Sequence, residues 1–391
     1  MSGAPVRRLA VPFLDDPTLR RVLAALPGAR IAGGAVRDAL ALRAVTDFDI
    51  ATPEPPEQVI AALRRAGIKA VPTGLAHGTV TAVADHRGFE ITTLRRDVET
   101  DGRHALVAFT DDWLEDAARR DFTINAMSMG RDGAVFDYFG GIADLEAGRV
   151  RFVGDAAARI AEDYLRVLRF FRFHARYGSG APDIAATSAI AAAVAGLGRL
   201  SPERVWSELK RILAAPTPTG AIALMARLGV LQAVLPEGAD VGRLAALVGR
   251  GAPPDPLLRF AAVFTGDVAA VAERLRLSTA ERERLLALRC NAPRASADDA
   301  TLRRALADVT ADVLVDRVWL DGGDVGLIGR LGAMERPVFP LQGRDLAAAG
   351  VEAGTRMGAL LRDLRQWWMD EGCTPDAASC RAELSRRLAQ K

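Results

Sequence analysis

The segment that most constrains this chain is residues 47–50, where two aspartates stand two positions apart as Asp47 and Asp49. Along a β-strand the side chains alternate between faces, so a strand here projects both carboxylates to one side, about 7 Å apart along the chain. Phe48 and Ile50 then point to the opposite side, into a core. Two neighbouring carboxylates repel each other unless a cation lies between them, and hard oxygen ligands suit Mg²⁺. The pattern therefore predicts a metal-binding strand, with an ordinary surface turn and strand end as the alternative.

Paired glycines upstream favour the metal-binding interpretation. Gly33 and Gly34 separate a predicted strand over residues 29–32 from a predicted helix over residues 35–42. Glycines at such a junction let the backbone approach a ligand closely and direct amide N–H groups at it. Arg37, on the first turn of the helix, adds a fork of donors suited to phosphate. A cation site beside a phosphate cradle indicates nucleotide chemistry.

The composition is typical of a globular protein with more than one domain. Of the 391 residues 50% are hydrophobic and 26% are charged, and no apolar run is long enough to span a membrane. The first ten residues lack the pattern of a secretory signal, and three cysteines without CxxC spacing favour reduced thiols, so we expect a cytoplasmic location. Because the net charge is only +2, any nucleic-acid contact must come from local patches. None of the four histidines directly precedes an aspartate, which argues against a His-Asp phosphohydrolase domain.

Secondary-structure signals divide the chain near residue 143. Before that point helices are predicted over 17–26 and 56–66, strands over 69–71, 79–84 and 89–94, and a polar, mobile loop over 95–109. After it the strand signals nearly vanish, and helices are predicted over 156–177, 185–195, 202–214 and 219–228. Ser201 is predicted to cap the helix that begins at Pro202. This pattern indicates an α+β fold class, with the strands confined to the first part of the chain.

Residues 162–172 carry a polar stripe that can select a base. On a single helix Asp163, Arg166, Arg169 and Arg172 step by three and lie near one another. The carboxylate can accept from the exocyclic amino group shared by cytosine and adenine, and a guanidinium can donate to their ring nitrogen. Uracil and guanine present a carbonyl at that place, so an Asp–Arg pair rejects them. A solvated, salt-bridged helix face is the alternative.

Together these segments resemble a known family signature. Residues 33–38 and 47–49, with Arg-Arg-Asp-Phe-Thr-Ile-Asn-Ala at 119–126 and Glu-Asp-Tyr-Leu-Arg at 162–166, are similar to motifs of the polymerase-β-type nucleotidyltransferases. The closer resemblance is to the class II branch, which contains tRNA CCA-adding enzymes and bacterial poly(A) polymerases. It covers about residues 25–215 and implies a polymerase-β-like head, with a small mixed sheet and helices, followed by an all-helical neck, body and tail. We assign the head to 1–142, the neck to 143–215, the body to 216–320 and the tail to 321–391.

The resemblance also implies roles for individual residues. Asp47 and Asp49 are expected to be catalytic and to bind two Mg²⁺ ions. Asp163 and Arg166 are expected to read the base. The other nucleotide-binding residues are expected to be Gly33, Gly34, Arg37, Arg120, Arg169 and Arg172.

Three further features complete these expectations. Glu90 lies where the family has another acidic residue near the metal pair. The polar loop, with Asp97, Asp101 and Arg103, lies where CCA-adding relatives have a flexible loop implicated in adding the final adenosine. The pair Trp367–Trp368 is interpreted as part of a core, with stacking on RNA as the alternative.

The sequence thus predicts an RNA nucleotidyltransferase that adds CCA to the 3′ end of tRNA from CTP and ATP, without a template, and releases pyrophosphate. The helical remainder is expected to hold the tRNA through its shape and its phosphates. A poly(A) polymerase, or an enzyme that adds only part of the CCA end, is the nearest alternative because the motifs are nearly shared. An RNA-binding protein with a decayed head is an alternative of another class, against which the intact Asp47/Asp49 pair argues.

Overall fold

A computed structural model describes residues 3–100 and 105–390 of the chain. The chain divides between Pro236 and Glu237 into two compact units, called here the first unit and the second unit. The strands of the first unit are β1 Arg7–Arg8, β2 Arg30–Ala32, β3 Asp49–Thr52, β4 Lys69–Gly74, β5 Thr79–Ala84, β6 Arg87–Thr93, β7 Arg95–Thr100, β8 Ala105–Phe109, β9 Met127–Met129 and β10 Ala134–Asp137.

Helices make up most of the remaining described structure. The first unit contains α1 Pro17–Ala25, α2 Gly34–Leu40, α3 Pro56–Arg65, α4 Trp113–Ala118, α5 Gly141–Glu146, α6 Ala156–Glu162, α7 Leu165–Tyr177, α8 Ile184–Ala193, α9 Pro202–Leu213, α10 Pro218–Arg227 and α11 Val230–Val234. The second unit contains α12 Val241–Gly249, α13 Pro256–Val263, α14 Val268–Arg274, α15 Thr279–Leu288, α16 Asp299–Asp308, α17 Ala311–Leu320, α18 Val325–Ala333, α19 Gly343–Ala348, α20 Thr355–Asp370 and α21 Ala377–Ala389.

A mixed sheet organises the first part of the first unit. Its strand order among the described residues is β1-β10-β9-β2-β3-β6-β5-β4, and every neighbouring pair is antiparallel except β3 and β6. Helices α1 and α3 pack against it because their apolar faces, including Leu19, Val22 and Leu63, join the buried residues of the strands in one core. The predicted α+β class is therefore confirmed, as are the helices predicted near 17–26 and 56–66.

Aromatic side chains attach α7 to the segment that follows α4. The ring of Phe122 lies 4.8 Å from that of Phe152 and 5.3 Å from that of Phe173 on α7, measured between centroids. Phe170 packs 6.2 Å from Phe152 in the same cluster. Because these rings are buried, α7, which carries Arg166, Arg169 and Arg172, is packed against the segment that contains Phe122.

Two local predictions are wrong. Residues 95–100 and 105–109 are not a loop, since they form the antiparallel strands β7 and β8, with Arg95 opposite Phe109. The apolar sequence of β8 favours a strand. Pairing with β8 then makes a strand of β7, although most residues of β7 are polar. Asp101 and Arg103 lie outside the described residues, as does the side chain of Asp97. Ser201 precedes α9, but its side chain makes no capping hydrogen bond.

The regular secondary-structure elements in the described part of the second unit are all helices, and this unit has its own cores. Trp368 is only 2% exposed, and its indole N–H donates to the Pro375 carbonyl at 3.0 Å. Trp367 packs against the same cluster, so the interpretation of this pair as core residues is confirmed. No helix in the described part of the chain is long and apolar enough to cross a membrane.

Candidate active site

Two parallel strands form the floor of a cleft of about 910 Å³ in the first unit. Asp49 begins β3 and lies directly opposite Glu90 on β6. Both side chains are exposed and line the cleft, whereas Ile50 and Ile91, the next residue on each strand, are buried. The sheet therefore presents two carboxylates from separate segments on one face.

The strand that carries Asp49 begins two residues later than predicted. β2 ends at Ala32, which pairs with Asp49, and the chain leaves the sheet at Gly33, so Asp47 has no strand partner there. Phe48 packs against the core while Asp47 is exposed, which agrees with the predicted alternation of faces. Asp47 is not among the described residues that line the cleft, and no cluster of three or more potential metal ligands occurs in the described ranges.

The turn between β2 and α2 requires glycine. Gly33 has φ +65° and ψ −117°, a backbone conformation that residues with a Cβ rarely adopt. A Cβ there would also lie 2.8 Å from Nη1 of Arg120. The Gly33 N–H donates to the Met127 carbonyl at 3.0 Å, and α2 starts at Gly34. The glycine pair thus brings the start of α2 against the side chain of Arg120.

Arg37 lines the cleft but is held by protein groups. Its side chain donates to the Asn125 Oδ1 atom at 2.5 Å and, through Nε, to the Asp38 carboxylate at 3.1 Å. The guanidinium lies over the rings of Tyr177 and Phe173, at 4.5 and 5.1 Å from their centroids. With only 8% of Arg37 exposed, its contact with a nucleotide phosphate stays a prediction.

Arg120 is oriented by a buried carboxylate. Its Nη2 and Nε atoms donate to Asp116 at 3.1 and 3.3 Å, and Nη1 donates to the Asn125 carbonyl at 3.2 Å. Burial opposes ionisation of Asp116, but the charges of Arg120 and Arg119 outweigh it and hold the pKa of that carboxyl below its ordinary value. Asp116 therefore stays charged and fixes the guanidinium of Arg120 beside the glycine turn.

Asp121 links this segment to α7, a contact that the sequence analysis did not foresee. Its carboxylate accepts from Nε of Arg169 at 2.6 Å, from the Asn125 amide at 3.0 Å and from the Phe122 N–H at 2.9 Å. Burial opposes its ionisation, yet the charge of Arg169 and these hydrogen bonds outweigh burial and lower the pKa of Asp121. Only the place of Asp121 inside the 119–126 motif could have indicated such a role.

The helix predicted over 156–177 is broken at Asp163, which corrects the predicted single stripe. Asp163 is extended, with φ −155° and ψ 109°, and its carboxylate accepts from the Leu165 N–H at 3.0 Å to start α7. This local hydrogen bond competes with helix continuation. The same carboxylate accepts from Arg204 of α9 at 2.6 Å. Arg166, Arg169 and Arg172 share α7, but Asp163 does not.

The remaining arginines of α7 have carboxylate partners outside the predicted set. Arg166 pairs with Glu162 and donates to the Arg159 carbonyl at 2.8 Å, so it does not pair with Asp163. Arg172 donates to Glu208 at 2.8 Å; burial lowers the pKa of Arg172 to about 10, although Glu208 opposes the shift. Glu208 lies among the buried, mostly apolar residues of α9. A charged residue at such a position of the sequence could have indicated that it pairs with a buried arginine.

The cleft brings together all of the predicted site residues except Asp47. In the described part of the chain its lining contains ten arginines and five carboxylates. Such an excess of positive charge attracts a polyanion and is focused by the concave wall. The arrangement can hold a triphosphate near two carboxylates, with a carboxylate and several guanidinium groups available to contact a base.

Comparison with known proteins agrees with this geometry. Residues 29–151 match the family described as the Poly A polymerase head domain, and residues 183–241 match the family described as the probable RNA and SrmB-binding site of polymerase A. The chain is 40% identical over 362 residues to the mitochondrial CCA tRNA nucleotidyltransferase 1 of Mus musculus, covering 88% of this chain and 83% of that protein. It is 39% identical over 360 residues to the Homo sapiens protein of the same name, with the same coverage.

The fold also resembles a solved structure. The CCA-adding enzyme of Bacillus stearothermophilus, crystallised in complex with CTP, superposes with a TM-score of 0.75 over 96% of this chain and 98% of that chain, at 24% identity. The expected order of an α+β head followed by helices is confirmed by this likeness.

Proposed function

The chain belongs to the family of CCA tRNA nucleotidyltransferases, and on that premise we propose that it adds CCA to the 3′ end of tRNA from CTP and ATP without a template. Pyrophosphate is the second product of each addition. The observation that carries the proposal is the cleft in which the Asp49 and Glu90 carboxylates face the arginines of α7 and the 119–126 segment. The assignment of head, neck, body and tail to 1–142, 143–215, 216–320 and 321–391 is part of this proposal.

The floor of the cleft fits a divalent cation. Asp49 and Glu90 supply exposed hard oxygen donors from paired positions in the cleft, and Asp47, which does not line the cleft, carries an exposed carboxylate two residues before Asp49. We propose Asp47 and Asp49 as the principal Mg²⁺ ligands, with Glu90 beside them. Bound Mg²⁺ would lower the pKa of the RNA 3′-hydroxyl and neutralise charge on the triphosphate and the departing pyrophosphate.

The chain's own residues would hold and orient the nucleotide. The backbone N–H of Gly34 lies at the start of α2, where an anion is favoured, whereas Gly33 shapes the turn and its own N–H donates to the Met127 carbonyl. Arg120, held by Asp116 with its guanidinium beside Gly33, would bind the triphosphate next to the turn. Because Asp116 already fixes this guanidinium, little side-chain entropy is lost when the nucleotide binds.

Base selection is proposed for Asp163 and Arg166, with Arg169 and Arg172 also at the nucleotide. Both proposed readers line the cleft, and each is held by a different partner, Arg204 for Asp163 and Glu162 for Arg166. Separate partners let the carboxylate and the guanidinium face one base together without neutralising each other. The pair then accepts from the amino group and donates to the ring nitrogen of C or A.

The substrate test uses purified protein and a tRNA that ends at the discriminator base, with product length read on a sequencing gel. CTP alone should extend the RNA by two nucleotides, ATP alone should leave it unextended, and both together should extend it by three. Long tails from ATP alone would overturn CCA addition in favour of poly(A) synthesis. Stopping after two nucleotides with both substrates would indicate partial addition.

The carboxylates are tested in the same assay. Asp49→Asn and Asp47→Asn should each slow incorporation by about a hundredfold or more, since each removes a ligand worth several kcal/mol in the transition state. Asp15→Asn removes an exposed carboxylate of the same unit whose ion-pair partner is Arg20, and should leave the rate unchanged. Wild-type rates in the Asp49 variant would contradict the proposed chemistry.

We propose a cytoplasmic location for this chain because its three cysteines are unpaired in the described structure. The Mus musculus and Homo sapiens relatives are named as mitochondrial. Fractionation of cells that express a tagged full chain distinguishes the two compartments.

A further inference from the structure

A second cavity lies in the second unit and shares no lining residue with the cleft. It is called here the cation cavity because cationic arginine side chains line it. It has a volume of about 350 Å³ and is lined by residues of α12, α17 and the segment after α15. Its charged lining consists of Arg243, Arg294 and Arg317 against one carboxylate, Asp321. The proposed chemistry of the first unit uses none of these residues.

Arg317 is the buried member of the cation cavity. Only 9% of this residue is exposed, and its Nε donates to the Ala287 carbonyl at 2.8 Å. Across residues 3–100 and 105–390 no carboxylate pairs with this guanidinium, and the adjacent Asp316 pairs with Arg284 at 2.7 Å instead. A buried cation without a counter-charge is costly, so the terminal N–H groups of Arg317 favour an anion in the cavity.

The rim of the cation cavity repeats this excess of positive charge. Arg243 and Arg294 are exposed, and neither forms an ion pair with any residue in the described part of the chain. Nearby Arg289 has a pKa that is lowered by burial and further by the charge of Arg243. Guanidinium groups brought together without carboxylate partners repel one another unless an anion lies between them.

We propose that the cation cavity binds a phosphate group of the RNA backbone. Guanidinium forks match phosphate oxygens, and a site with exposed arginines at its rim can admit one phosphate of a chain that continues in both directions. The identity of the polymer as RNA rests on the proposed function. The cavity adds a phosphate contact far along the chain from the residues that would perform the chemistry.

Cys290 provides a direct readout, since this thiol is exposed and lines the cation cavity, whereas Cys373 and Cys380 are buried. Alkylation of Cys290 by iodoacetamide is followed by mass spectrometry on the full chain, with and without tRNA that lacks CCA. At a tRNA concentration ten times the Kd measured by filter binding, a covered thiol should react about tenfold more slowly. Inorganic phosphate at the same concentration should give no protection.

Arginine variants test whether the phosphate contact is the cause. Arg243→Ala and Arg294→Ala should each weaken tRNA binding by about three- to tenfold and reduce the slope of log affinity against log salt by about one. Arg282 is an exposed arginine of α15 that lies outside the cavity lining. Arg282→Ala removes the same charge and should change the tRNA affinity and the salt slope less than the cavity variants do.

Two results would overturn the proposal. Full Cys290 reactivity at saturating tRNA would show that RNA does not cover the cavity, and equal protection by inorganic phosphate would identify a small-anion site instead. Both readouts measure binding without nucleotide addition. A protein that protects Cys290 but adds no nucleotides would refute the proposed function and leave this inference standing.

Discussion

Replacing Asp121 by asparagine tests whether a buried carboxylate holds α7 against the 119–126 segment. The wild-type carboxylate accepts from Arg169, Asn125 and the Phe122 N–H, and only 8% of Asp121 is exposed. An asparagine at this position would keep the shape but lose the charge, and its amide NH₂ would face at least one existing donor. The substitution therefore leaves the guanidinium of Arg169 without its carboxylate.

The size of the effect follows from burial. Breaking a buried ion pair by removing one partner costs about 3–5 kcal/mol, but Arg169 is 33% exposed at its side chain and water can replace part of the lost contact. We therefore expect a loss of about 2 kcal/mol, which corresponds to a fall of about 4–8 °C in the Tm of a unit of this size. Arg169→Gln in the Asp121→Asn background should add little further loss, giving a coupling energy of about 1.5–2 kcal/mol.

Hydrogen exchange measured by mass spectrometry is the suitable assay, because two compact units need not unfold together. Peptides from α7 report the opening free energy of wild type, both single variants and the double variant. The lowered pKa of Asp121 also fixes the sign of the pH dependence: its contribution is complete above the unfolded-state pKa and disappears as pH falls through the lower folded-state value. A coupling energy under about 0.5 kcal/mol, or α7 protection in wild type that does not fall at acid pH, would refute this reasoning.

Two further substitutions probe how the glycine turn and the end of α7 support the cleft. Gly33→Ala should lower the free energy of unfolding, measured by urea titration, by about 1–3 kcal/mol, since φ at this position is +65°. Gly34→Ala should leave it unchanged, because φ at Gly34 is not positive and an added Cβ would lie 3.6 Å from its nearest neighbour. Equal stability of the two variants would contradict the strain argument. Tyr177→Phe removes the hydroxyl that donates to Asp38 but keeps the ring over Arg37. Because the hydrogen bond from Tyr177 to Asp38 is worth about 1 kcal/mol, its loss should raise the KM for CTP about threefold or more with little change in kcat. An unchanged KM would count against a role of Tyr177 in positioning Arg37.

Prediction from the sequence succeeded where local chemistry decides the structure. The short stretch 79–84, rich in Val and Thr, forms the predicted strand as β5, and the strand and helix predicted around the paired glycines appear as β2 and α2. Gly33 adopts the positive φ that only its residue type tolerates readily. These features depend on neighbours a few positions away, which a sequence displays directly.

The errors arose where distant residues or competing local bonds decide the outcome. Asp163 lies within a stretch of good helix formers, yet its side chain starts a new helix and binds Arg204, forty-one positions away. Helical periodicity carries no information about such a partner. β7 has a polar sequence, and its pairing with β8 supplies the strand character that its own residues lack.

The arginines of the cleft show why the missed carboxylates matter for the proposed activity. Arg120, Arg169 and Arg172 would contact a nucleotide, and each is held by a buried carboxylate. Asp116, four positions earlier, holds Arg120, whereas Asp121 and Glu208 hold Arg169 and Arg172 from distant parts of the chain. Without these anions the clustered guanidinium groups would repel one another and move among rotamers. With them the side chains are oriented during folding, and the lining still contains more arginines than carboxylates, which leaves the cleft positive. A triphosphate would therefore meet donors that are already oriented, and less affinity would be lost to ordering them, so removal of a buried carboxylate should weaken nucleotide binding even though that carboxylate does not contact the nucleotide.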